Sequence, residues 1–72
     1  MRIAVIKAAR DDDAGVWIVE SSDVEGLWVE GATFEEFCRA VSDAVSDLLG
    51  DEAHDIPIEI IAHASLRARA AA

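Results

Sequence analysis

The stretch Gly31-Ala32-Thr33-Phe34-Glu35-Glu36-Phe37-Cys38-Arg39-Ala40-Val41-Ser42-Asp43-Ala44-Val45-Ser46-Asp47-Leu48-Leu49-Gly50 decides how the rest of the chain must be arranged. Phe34, Phe37, Cys38, Val41, Val45, Leu48 and Leu49 recur at the 3.6-residue spacing of a helix and form one apolar stripe. Glu35, Arg39, Ser42, Asp43, Ser46 and Asp47 fall on the other side. Thr33, three residues before Glu36, is a capping box: the hydroxyl accepts from the Glu36 N–H while the Glu36 side chain reaches back. Glu35 and Glu36 sit at the positive end of the helix dipole, and Gly50 closes the helix as its C′ residue. A helix with one apolar stripe needs a surface to lie on, and the flanking sequence supplies strands.

Residues Arg2 to Ala9 read as a strand rich in β-branched side chains. The run ends in Arg10-Asp11-Asp12-Asp13-Ala14-Gly15, where Asp bonds its own backbone and Gly admits a positive φ. Val16 to Glu20 follows as a second strand, so the pair reads as an antiparallel hairpin. Ser21 to Gly26 is another turn, and Leu27 to Glu30 a short third strand. Beyond the helix, Asp51 to Asp55 is a polar connection. Pro57 permits only a strand start or an edge. Ile58 to His63 is the fourth strand, with room to continue to Leu66. The expectation is an α+β fold, an antiparallel-rich sheet in the order β-β-β-α-β with one helix on one face. Residues 1–66 form a single domain, and 67–72 are expected to fray.

The alternation within the strands leaves both faces of the sheet apolar. Ile3 and Val5 oppose Ala4 and Ile6; Val16 and Ile18 oppose Trp17 and Val19; Ile58 and Ile60 oppose Glu59 and Ile61. A sheet with one solvated face should alternate cleanly. One helix covers one face, so the other is expected to carry Ile6, Val19, Ile61 and a tryptophan with no cover from this chain. Uncovered apolar patches mark interaction sites.

Composition narrows the partner. The chain has 72 residues, 15 acidic against 6 basic, for a formal net charge of −9. Nucleic-acid binding draws on a clustered basic face, which this sequence lacks. A negative field favours basic partners. One cysteine, Cys38, excludes an internal disulfide and suits a reducing cytoplasm. No apolar run approaches the roughly 20 residues that span a bilayer, and the N-terminal run is too short for a signal peptide. A domain this small buries only about 60% of its unfolded surface, and oligomerisation, most simply a dimer, is a common remedy.

The residues Asp12-Asp13-Ala14-Gly15-Val16-Trp17-Ile18-Val19, then Glu20-Ser21-Ser22-Asp23-Val24-Glu25-Gly26-Leu27, then Glu30-Gly31-Ala32-Thr33-Phe34-Glu35-Glu36 resemble the HicB-like antitoxin family. The shared pattern is an acidic turn, Gly and an aromatic, an alternating strand, an acidic turn ending in Gly, and a Gly-x-Thr-x-Glu-Glu helix start. Residues 2 to 62 lie along it. The family's Pro-Asp-Leu-Pro-Gly turn is here Ser22-Asp23-Val24-Glu25-Gly26, with neither proline. The resemblance implies a partly RNase H-like or double-stranded-RNA-binding-like layout. It also implies a non-enzymatic role, the masking of a small basic toxin that cleaves messenger RNA, commonly as a dimer. Many members carry a further DNA-binding domain, which the sequence to Ala72 is expected to lack.

Chemistry is not expected. Asp11-Asp12-Asp13 lacks the EF-hand pattern, and neighbours in a turn point different ways. Cys38, His54 and His63 show neither a Cys-x-x-Cys pair nor paired histidines for zinc. Cys38 on the apolar stripe is a core thiol rather than a nucleophile. Nuclease chemistry needs carboxylates converging on two metals, and the acids here lie in turns and on the outer helix face. No catalytic residue, metal or cofactor is expected. The residues expected to bind protein are Trp17, Val19, Glu25, Trp28, Glu30 and Ile61, with a homo-oligomeric structural domain as the alternative function.

Overall fold

The computed structural model describes residues 3–66 and 68, the side chains of residues 54 and 55 aside. The expected fraying of 67–72 and the role of His54 therefore lie outside what is described. The fold is α+β. Strand β1 spans Ala4–Asp11, β2 Val16–Ser22 and β3 Glu30–Gly31. Helix α1 spans Phe34–Leu49, a 3₁₀ turn Gly50–Asp55, and strand β4 Ile58–His63. The four strands lie in the order β3-β2-β1-β4. The pairs β1–β2 and β2–β3 are antiparallel, while β4 runs parallel to β1. That parallel pairing follows from the crossover through α1, because a helical connection returns the chain in the same direction.

The first hairpin closes as its aspartates dictate. The Asp11 carboxylate accepts from the N–H groups of Asp13 and Ala14 at 3.1 and 3.2 Å, and Gly15 N–H donates to Asp11 O at 2.8 Å. Gly15 stands at φ +71°, a conformation costly for any residue with a Cβ. The β1–β2 register slips between Lys7 and Ala8, so Ala8 faces Val19 while Lys7 faces Ser21. Beyond this bulge Asp23 holds the pair together: its N–H donates to Val5 O at 3.1 Å and its carboxylate accepts Val5 N–H at 3.0 Å.

Thr33 caps the helix with its hydroxyl, which accepts Glu36 N–H at 3.1 Å, while the reciprocal bond of the expected capping box, from Thr33 N–H to the Glu36 carboxylate, is not formed. Phe37, Val41 and Val45 are the buried heart of the stripe. They pack on Ala4, Ile6, Ala8 and Val19, with Val24 and Leu27 closing one end. Small alanines at two of the three buried β1 positions let the helix approach the sheet. Gly31 serves the same end at β3, lying against the backbone of Phe37 and Glu36. Phe34 and Leu48, at the two ends of the stripe, are exposed, so the stripe is narrower than its spacing suggests.

Several boundaries differ from the sequence reading: β1 runs on to Asp11 and β2 to Ser22. The third strand is only Glu30–Gly31, because Leu27 turns into the core instead of pairing. The polar connection after Gly50 winds into 3₁₀ structure rather than a loop.

Candidate protein-binding surface

The pairing fixes which side chains share a face. Ala4, Ile6 and Ala8 look toward the helix, as do their partners Ile58, Ile60 and Ala62 on β4 and Val19 on β2. The opposite, outer face is built from Ile3, Val5, Lys7 and Ala9, from Val16 and Ile18, and from Glu59, Ile61 and His63. Glu30 joins this face from β3, opposite Ile18. Among the described residues no helix or strand lies over it.

This arrangement corrects the expected identity of the uncovered face. Ile6 is fully buried under the helix and Val19 is 7% exposed in the same core, so neither belongs to an outer surface. The face that bears Lys7 and Glu59 is the one turned to solvent, and Ile61 shares it while Ile6 and Val19 do not. Ile61 does lie outside, at 47% exposure, and Ile3, just before β1, is 44% exposed.

The outer face is amphipathic. Ile3, Val5, Val16, Ile18 and Ile61 supply apolar area, while Lys7, Glu20, Glu30, Glu59 and His63 stand among and around it. The Glu20 carboxylate and His63 Nδ1 approach to 3.9 Å across β1. An exposed pair of this length contributes little to stability.

The other expected binding residues are dispersed. Trp17 lies on the helix side, half-buried, with its ring edge-on to Phe34 at 5.1 Å and the Arg10 guanidinium 6.0 Å from its centroid. Trp28 is 71% exposed, pointing away from the core between buried Leu27 and half-buried Val29. Glu25 is exposed in the turn before it. Glu30 and Ile61 share the outer face, but at opposite edges of the sheet. Cys38 is half-buried on the helix. No group of three or more His, Cys, Asp or Glu gathers among the described residues, the Asp11 carboxylate being engaged by its own turn. No helix among them is long and apolar enough to cross a membrane.

Residues 3–72 match the family described as "Domain of unknown function (DUF1902)". The chain belongs to the DUF1902 family. Among curated proteins no match is found. Among solved structures, the DUF1902 domain is similar to the hypothetical protein TTHA1013 from the extremely thermophilic bacterium Thermus thermophilus. The identity is 36%, the TM-score 0.67, and the likeness covers 94% of this chain and 99% of that one.

Ile3, Val5, Val16 and Ile18 of this DUF1902 domain belong to the outer surface yet escaped the sequence reading. A signal for them was present. Ala4-Ile6-Ala8 and Ile58-Ile60-Ala62 are wholly apolar, whereas the alternate sets contain Lys7, Glu59 and His63. Charge at these alternate positions marks the solvent side.

Proposed function

We propose that this domain is a non-enzymatic protein-binding module that acts as HicB-type antitoxins do, masking a small basic messenger-RNA-cleaving protein. The observation that carries this reading is the outer sheet face, where exposed Ile3 and Ile61 and half-buried Val5, Val16 and Ile18 share a surface with the carboxylates of Glu20, Glu30 and Glu59. An apolar field with three carboxylates against one lysine suits a basic partner that brings apolar anchors of its own. The net charge of −9 would steer the encounter. Exposed Trp28 adds an aromatic of the kind that anchors interfaces. Its neighbours Glu25 and Glu30 are also exposed.

The test is a search of the native genome for a short basic protein encoded beside this chain, followed by co-expression of the two. The expected result is a complex that survives gel filtration and suppresses cleavage of messenger RNA by the basic protein. Absence of such a neighbouring frame, or undiminished cleavage in the presence of excess domain, would overturn the reading.

A further inference from the structure

Strand β4 is an edge of the sheet, and its hydrogen-bonding direction can be read from one bond. Ala4 N–H donates to Pro57 O at 2.9 Å, with Ala4 opposite Ile58. In a parallel ladder that bond assigns the backbone groups of Glu59 and Ile61 to β1. The N–H and C=O of Ile58, Ile60 and Ala62 therefore point outward, unpaired by any described strand. Edges like this are normally blunted by charged side chains, lysine above all, by an internal proline, a bulge or short length, and the one charge within β4 is Glu59. This one is six residues long, contains no lysine, and has its proline before the strand rather than in it. Ile58 and Ile60 remain only half-buried on the helix side, and Ile61 is open on the other.

We propose that β4 pairs antiparallel with β4 of a second copy of this chain, about a two-fold axis at Ile61. The outward groups lie on even-numbered residues, so even must meet even, and three central registers are available. Centring on Glu59 sets two carboxylates face to face between chains that are both strongly negative. Centring on Ile60 sets each Glu59 against an isoleucine. Centring on Ile61 brings the two Ile61 side chains together and places each Glu59 opposite His63 of the second copy. All three satisfy the backbone, and only this last register joins an apolar pair at its centre with a side chain that can donate to each Glu59. The product is one continuous sheet of eight strands, in which the outer face stays open and doubles in width. The inference does not depend on a basic partner: a monomer would refute it and leave the proposed function standing.

The test uses the full chain alone. Sedimentation velocity across micromolar concentrations is expected to show a dimer. Ala62→Pro removes an outward N–H that β1 does not use, and is expected to yield a monomer with an unchanged far-UV spectrum. In a Cys38→Ala background, Ile61→Cys is expected to cross-link under mild oxidation. The two Cα atoms would stand about 4.5 Å apart in a non-hydrogen-bonded pair, within disulfide reach. Glu59→Cys should not cross-link, its copies lying roughly 14 Å apart. A strict monomer, a dimer untouched by Ala62→Pro, or cross-linking through position 59 instead of 61 would each overturn the proposal.

Discussion

Replacing Gly31 by alanine should be the most damaging single-methyl change in the molecule. A Cβ at this position would stand 2.5 Å from Phe37 N, 2.8 Å from Phe37 Cα and 3.0 Å from Glu36 C. All three are backbone atoms of the first helical turn, so no side chain can swing aside. Relief requires the helix to lift from β3 or the strand to leave Trp17, its partner in the ladder. Overpacking of a tight site costs about 1–3 kcal/mol, and a backbone obstruction belongs at the upper end. A domain of this length has a total stability of roughly 4–11 kcal/mol, so Gly31→Ala removes a large part of it. With a urea slope of about 1 kcal/mol/M, the unfolding midpoint should fall by about 3 M. Gly15→Ala is the control. There a Cβ meets nothing within 4 Å, and only the φ of +71° opposes it, for about 1–2 kcal/mol. Equal midpoints for the two variants, or a smaller loss for Gly31→Ala, would refute the close helix–strand approach.

Three further substitutions probe separate parts of the fold. Thr33→Ala removes the hydroxyl that caps α1 and should cost about 1 kcal/mol, read as a shift of the urea midpoint with unchanged slope. Asp23→Ala deletes the carboxylate that receives Val5 N–H. It should cost about 1 kcal/mol and speed amide exchange at Val5 while leaving Phe37 protected. Trp28→Ala should leave stability within about 0.5 kcal/mol, as for an exposed residue without partners, and abolish the longer-wavelength part of the tryptophan emission. Trp17→Ala, which strips the edge-on contact with Phe34, should lower the thermal midpoint measurably.

The helix was legible almost to the residue, because capping, stripe and terminal glycine are local signals that agree. The succession of strands along the chain was legible to the extent that turns announce themselves: Asp11 and Gly15 close the first hairpin through bonds between near neighbours. The place of β4 beside β1, parallel to it, was not. The assignment of faces was not read correctly, and the reason is physical. Parity separates Ile3 and Val5 from Ala4 and Ile6 without saying which set meets the helix. The slip between Lys7 and Ala8 then breaks the simple alternation that would carry the assignment from β1 to β2. Ile6 and Val19 do share a face, and parity alone does not tell that it is the one beneath the helix. Polar Lys7 and Glu59 held the better clue, since burying them under the helix would have left charges without partners. The true third strand was hidden because Gly31 acts by what it lacks, and a missing side chain leaves no periodic mark.

The most direct measurement is methyl cross-saturation on the labelled domain in complex with a small basic messenger-RNA-cleaving protein, the partner class proposed above. Signal loss at Ile3, Val16, Ile18 and Ile61, with Val41 and Val45 unaffected, is the predicted result. Undisturbed outer-face methyls, with losses instead along the exposed side of α1 near Arg39 and Asp43, would contradict it.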